Sequence, residues 1–250
     1  MGGRRAIVHI GTHKTGSTSL QYWLAQNTSR LEAQYGIGVY RPIHPNGREL
    51  ALWCANPDRQ IPTIREIPEW RSQRWRAESF GHMRSEIERD VDTLVASNET
   101  LCLLRTHDEL ERLRELFSPR RIDIVLVTRR PTDFLRSWRE QLTRDGFSES
   151  SDPTSFAYLD ADSWLVDYEG ILRAYRAVFG DGHVHHVDYD AALSRDASII
   201  PAVMTHVIGD TSGLPDWRDV RRNRGSRPHP NESVSLWRRV ARRLRHGLDH

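Results

Sequence analysis

The chain has 250 residues, 38% hydrophobic and 28% charged, enough apolar content for a substantial core. No stretch approaches the run of about 18 apolar residues that spans a bilayer. Its 36 basic and 34 acidic side chains leave a formal net charge of only +2, which argues against a nucleic-acid coat protein. Two cysteines, Cys54 and Cys102, are too few for a disulfide framework or a metal-binding pair, and they read as core thiols. MGGRRAIVHIG lacks a signal-peptide core, so a cytoplasmic protein with a single domain over 1–250 is expected.

In chain order, Arg5 to Ile10 is a β-branched strand, the Gly/Thr/Ser stretch after it is a turn, and Ser17 opens a helix carrying Leu20, Trp23, Leu24 and Leu31. Five prolines between Pro42 and Trp75, with weak periodicity, predict a lid-like insertion with short helices, an acceptor-side region extending to about residue 97. Met83, Ile87, Val91, Leu94 and Val95 make a helical stripe, followed by a strand over Leu101 to Leu104 and a helix from near Asp108. Ile122 to Val127 is a continuous apolar run of the kind buried on both faces of a parallel sheet, and it leads into TRRPTDFLRSWREQL, where Pro131 suits a first helical turn. A polar loop precedes a long helix over Ser163 to Phe179, then a Gly-Asp-Gly turn and a strand over His183 to Val187. RRNRGSR from Arg221 to Arg227 and a basic amphipathic helix over about 231–248 complete the chain. The alternation of strands and helices predicts an α/β fold of three layers, α/β/α, around a mainly parallel sheet.

HIGTHKTGSTSLQ, His9 to Gln21, holds the only lysine among the 36 basic residues, Lys14. A chain so committed to arginine keeps a compact, mobile ammonium where a planar fork does not serve. A Gly-rich turn between a first strand and its helix aims backbone N–H groups and the helix dipole at one point, a site for phosphate or sulfate. Gly11-x4-Gly16 has the Walker spacing, yet Ser17-Thr18 stands where a nucleoside triphosphatase needs Lys-Ser/Thr, and the lysine sits inside the loop.

HKTGSTSLQ resembles the 5′-phosphosulfate loop of sulfotransferases that use 3′-phosphoadenosine 5′-phosphosulfate (PAPS), in its bacterial form. In that family a strand ends in Arg and a Ser follows eight residues later, the pair holding the donor's 3′-phosphate; VTRRPTDFLRS supplies Arg129 and Ser137, with Arg130 as the alternative ligand. DYEGILRAYRAVFGDGHVHHVDYDAAL resembles a later stretch of bacterial members, and RRNRGSR resembles a donor-closing loop in which Arg224 and Gly225 are candidates. The resemblance implies a P-loop-like sulfotransferase fold, donor contacts from His13, Lys14, Thr15, Gly16, Ser17, Thr18 and Ser19, and Lys14 acting on the bridging oxygen.

Sulfuryl transfer also needs a base. Arg105-Thr106-His107 looks like the Lys-Thr-His of cytosolic animal members, which favours His107; many bacterial relatives read Ser-Ser-Glu-x-Leu, which would place the carboxylate at Asp108. Thr106 or Asp108 could equally cap a helix there. His183, His185 and His186 lack a Cys or carboxylate to complete a metal set, and no metal is expected. His44 and His82, and Trp53, Trp70 and Trp75, lie in or beside the insertion, where an acceptor could meet them. The reading is a PAPS-dependent sulfotransferase acting on a hydroxyl, or secondarily an amine, of a small molecule, sugar or lipid. Nucleic acid is not an expected partner, and peripheral membrane contact through the basic helix is not favoured. A P-loop-type kinase is the enzyme alternative, against which IVLVTRR counts by ending in Thr-Arg rather than a magnesium-holding acid. A non-catalytic anion or nucleic-acid binder using the arginine clusters is the other.

Overall fold

In the computed structural model, which describes residues 3–218 and 220, short apolar runs alternate with helices throughout. The order is β1 (Arg5–His9), α1 (Ser17–Tyr35), β2 (Ile37–Val39), α2 (Arg48–Cys54), α3 (Gln73–Ile87), β3 (Thr93–Ser97), α4 (His107–Phe117), β4 (Arg121–Thr128), α5 (Pro131–Arg144), α6 (Tyr168–Phe179), β5 (Val184–Asp188), α7 (Tyr189–Asp196) and α8 (Ile200–Ile208). All strand pairs are parallel, in the order β2-β3-β1-β4-β5.

Side chains alternate across a strand. On β1, Ala6 and Val8 enter the core shared with α2 to α6, whereas Ile7 enters the core shared with α1, α7 and α8. Leu94 and Val95, and Ile124 and Val125, divide in the same way. Both faces are therefore covered, and the expected three-layer α/β/α architecture is present. Among the described residues, no helix is long and apolar enough to cross a membrane.

The crossovers position the site. The loop after β1 turns toward α1 on one face, while the neighbouring β4 leads to α5, whose Phe134, Leu135 and Trp138 pack on the other. Adjacent strands whose exits part in this way leave a crevice at their carboxyl ends, the usual ligand position in such sheets.

Several boundaries differ from the sequence-based expectation. Leu101 to Leu104 does not form a strand: Glu99–Leu103 is a 3₁₀ turn capped by Asn98, and the strand is Thr93–Ser97. Val91, Leu94 and Val95 are thus not helical, because α3 ends at Ile87. The cause is a five-residue strand buried on both faces, which has no polar alternation to separate it from a helical stripe. The insertion consequently ends before β3 rather than at 97. The helix expected from Ser163 splits into a 3₁₀ turn at Trp164–Val166 and α6, where the Asp167 carboxylate accepts from the Gly170 N–H at 2.9 Å. Arg224, Gly225 and the basic helix over about 231–248 lie outside the described residues.

Carboxylates stitch the insertion to the body. Fully buried Glu49 accepts from the Tyr40 hydroxyl at 2.8 Å and from the Ile43 and His44 N–H groups, and Glu86 grips Arg41 at 2.7 Å. Arg120 is no surface charge either; its buried guanidinium donates to the carbonyls of Ile87, Arg89 and Val91 at 2.6 to 2.9 Å. Cys54 and Cys102 are buried free thiols, and burial pushes the Cys102 thiol up to about 12.

Candidate active site at the carboxyl edge of the sheet

Beyond β1 the chain keeps following β4: the Ile10 N–H donates to Val125 O at 3.0 Å and the Thr12 N–H to Val127 O at 2.8 Å. The Thr15 hydroxyl then donates back to the Thr12 carbonyl, and the backbone turns through left-handed conformations at Lys14 (φ 66°) and Gly16 (φ 81°). Gly16 caps α1 without a side chain, and a non-glycine residue at positive φ is a local cost of the kind kept at functional sites. Among the described residues, the N–H groups of Lys14, Thr15, Gly16, Ser17 and Thr18 have no protein acceptor. Together with the helix dipole they form an anion-binding nest. Gly11 is needed because a Cβ there would stand 2.5 Å from His9 Nε2.

The side chains of this loop divide by role. Ser17 Oγ is buried without a hydrogen-bond partner. Thr18 is exposed, and Thr15 spends its hydroxyl within the turn. Lys14 Nζ lies 3.5 Å from Gln141 Oε1; burial, followed by the charge of Arg144, lowers its pKa, with Glu140 opposing and Arg129 adding to the lowering. An ammonium held among arginines is pre-set to meet negative charge.

At the end of β4, Arg129 Nη1 donates to Ser137 Oγ at 3.1 Å, so the spacing read from the sequence closes in space. The same guanidinium lies 5.3 Å from the Tyr189 ring centre, and its Nε is buried without an acceptor. Arg130 is mostly exposed and already engaged by Asp133 at 3.0 Å and Asp190 at 3.3 Å. Of the two arginines, Arg129 is the one with donors to offer.

The end of β3 supplies what the sequence reading missed. Glu99, two residues past the strand, accepts from Gln21 Nε2 at 2.9 Å and lies 3.5 Å from Asn46 Nδ2. Arg48 at the start of α2 and His13 in the loop both sense its charge. His13 stacks on Trp138 at 4.4 Å, burial lowers its pKa, and its Nε2 is buried without a partner. Below them His9 is buried and held neutral, its pKa lowered to about 3 by burial, with Nδ1 2.9 Å from Ser97 Oγ. The missed signal was present: Ser97-Asn98-Glu99-Thr100-Leu101 fits the Ser-Ser-Glu-x-Leu pattern better than the stretch around Asp108, and it directly follows a strand.

His107 and Asp108 sit elsewhere in their contacts. Both are exposed in the first turn of α4; His107 Nε2 is 3.7 Å from Glu111, and among the described residues neither touches the loop or the end of β4. Thr106 caps that helix in a reciprocal box with Glu109. Glu109, fully buried, is pushed up by burial but held down at about 2 by Arg59, bonded at 2.9 and 2.7 Å, and by the N–H groups of Arg105, Asn56 and Thr106. This turn is a structural joint. The insertion's His44 bonds to Trp75 at 3.0 Å and His82 to the Arg41 carbonyl at 2.7 Å, while Trp70 and Trp75 are core. His183 pairs with Asp123, His186 with Thr128, and His185 stacks on His206; among the described residues no group of three His, Cys, Asp or Glu is placed to hold a metal.

No family model matches the chain. No curated protein matches it either. Among solved structures, a sulfotransferase domain from the curacin biosynthetic pathway aligns over 98% of both chains at 16% identity, with a TM-score of 0.47. A sulfotransferase from Alicyclobacillus acidocaldarius aligns over 98% of this chain and 96% of its own, at 16% identity and a TM-score of 0.57. By that likeness the parallel sheet, its two helical layers and its loop-bearing edge make up a P-loop-like sulfotransferase fold.

Proposed function

We propose that this chain is a sulfotransferase that moves a sulfuryl group from PAPS to a hydroxyl, or secondarily an amine, of a small molecule, sugar or lipid. The observation that carries the reading is the Arg129–Ser137 bond at 3.1 Å beside a loop of open N–H groups. Two anion sites at the ends of adjacent strands suit a nucleotide phosphorylated at both 3′ and 5′ positions, whereas ATP needs only one. The unpartnered Ser17 Oγ and Arg129 Nε fit the same donor, since buried polar atoms require partners.

In this reading the N–H groups from Lys14 to Thr18 and the Ser17 hydroxyl hold the 5′-phosphosulfate, and Arg129 and Ser137 hold the 3′-phosphate. His13 lines the loop toward Glu99, Ser19 and Thr18 support its helical end, and Arg224 and Gly225 remain candidates for closing over the donor. Glu99 replaces His107 and Asp108 as the base. It takes the acceptor's proton as the acceptor oxygen bonds to sulfur and the bond from sulfur to the bridging oxygen breaks. Lys14 meets the charge that this oxygen carries away on adenosine 3′,5′-bisphosphate. The chemistry calls for no metal, and a cytoplasmic location accords with a donor made from ATP.

The kinase alternative is disfavoured because Thr128 and Arg129 stand at the strand end where an acid would hold magnesium. Competitive calorimetry with adenosine 3′,5′-bisphosphate, magnesium–ATP and duplex DNA is the test. The bisphosphate is expected to bind most tightly and to compete with PAPS; tight magnesium–ATP binding with none of the bisphosphate sinks the proposal. A panel of alcohols, sugars and phenols with radiolabelled donor then identifies the acceptor.

A further inference from the structure

We propose that Gln21 is a positioning residue that holds Glu99 in its reactive orientation. The inference rests on the sulfotransferase reading above and extends it to a side chain assigned neither donor nor acceptor.

Gln21 lies one helical turn beyond Ser17 on α1, so both project from the same helix face. It is buried, and its Nε2 donates to Glu99 Oε2 at 2.9 Å and to the Ser97 carbonyl at 3.3 Å. Both neighbours are acceptors, so only the amide nitrogen can face them; the other orientation would set oxygen against oxygen. The consequence is visible on the far side, where Gln21 Oε1 is buried with no partner. A buried amide oxygen left unsatisfied costs free energy, and the bond to the carboxylate is what keeps the carboxamide in this orientation.

Glu99 is steadied from a second direction by Asn46 Nδ2 at 3.5 Å, and Asn46 is itself fixed, its carbonyl accepting from Asn98 Nδ2 at 2.9 Å. The titratable and charged groups that face Glu99 are Arg48 from α2, His13 from the loop and Cys102 from the 3₁₀ turn. Burial lowers the pKa of His13 and pushes the Cys102 thiol up to about 12. One helix thus ties the anion nest to the proton acceptor: the turn that starts at Ser17 binds, and the next turn aims Glu99.

The test is a double-mutant cycle on Gln21→Met and Glu99→Gln, read as sulfate released from PAPS to water across pH, with adenosine 3′,5′-bisphosphate affinity measured by calorimetry. Gln21→Met is expected to lower kcat about tenfold, with the KM for PAPS and the bisphosphate affinity unchanged. In the Glu99→Gln background the same change is expected to have no further effect. Additive losses, or a fall in bisphosphate affinity that matches the fall in kcat, overturn the positioning role while leaving the donor reading intact. Loss of bisphosphate binding in the unmutated protein overturns both. Should Gln21→Met fold poorly, the Gln21 side-chain amide in the unmutated protein serves instead: its NMR shifts are expected to change in Glu99→Gln, and unchanged shifts overturn the proposal.

Discussion

The two corners of the site are built in opposite ways. At the corner proposed to hold the donor's 3′-phosphate, Arg129 and Ser137 lie eight residues apart and meet through one strand end and the helix after it. At the corner proposed to accept the proton, Glu99 meets Gln21 and Asn46, 78 and 53 positions away. The first is local geometry repeated wherever a strand enters a helix; the second exists only once β3 lies beside β1 and the insertion has docked. A corner of the first kind can be read from spacing, and one of the second kind needs the fold.

Substitutions can break that contrast. The largest effect is expected from Glu99→Gln, which removes the proposed proton acceptor and should lower turnover by roughly 10²- to 10⁴-fold with little change in bisphosphate affinity. Next comes Lys14→Ala, for which a loss of about 10²-fold in turnover, larger than the loss in bisphosphate affinity, is expected from steady-state rates compared with calorimetry. Arg129→Ala should do the reverse, weakening bisphosphate binding roughly tenfold or more, with Ser137→Ala a milder copy. If Arg129→Ala and Glu99→Gln both lowered affinity and turnover in parallel, the division into two corners would be wrong.

Smaller and of another kind is the acid response of Glu109. Its folded pKa, about 2, lies below the unperturbed 4.5, so its contribution is fully present above about pH 4.5 and is lost as pH falls toward 2. That contribution is on the order of 3 kcal/mol, and Arg59→Met should remove much of it, seen as a lower melting temperature at pH 6 and a flatter dependence below pH 4.5. His107→Ala should be the weakest, leaving turnover within about twofold, as fits an exposed side chain paired only within its own helix. A hundredfold loss there would return the base to His107.

The same contrast explains what could be read in advance. The three layers, the first loop and the Arg129–Ser137 pair all follow from short-range patterns: apolar runs, a Gly turn and an eight-residue spacing. Glu99 escaped because its strand, Thr93–Ser97, is buried on both sides and its apolar residues continue a helical stripe from α3. Leu101 to Leu104 then looked like the strand, being wholly buried, although it is a 3₁₀ turn packed beneath Tyr175, whose hydroxyl donates to the Leu101 carbonyl at 2.6 Å. With the strand placed a few residues too late, its end falls at His107, where the chain builds a capping box instead. No spacing rule would have found Gln21, whose bond crosses from helix to strand end.

The insertion between β2 and β3 looked from its prolines like something that opens and shuts. Its carboxylate anchors make it masonry: Glu49 binds the loop over residues 40–44, Glu86 holds Arg41, and Glu109 grips Arg59 and the Asn56 N–H from the neighbouring helix. An acceptor arriving beside Glu99, as proposed, would therefore meet a sieve whose mesh is already set, and little ordering of this segment would have to accompany its capture. Altering which acceptors pass would mean recutting stones between those anchors, with the donor corner left untouched on the other side of β1.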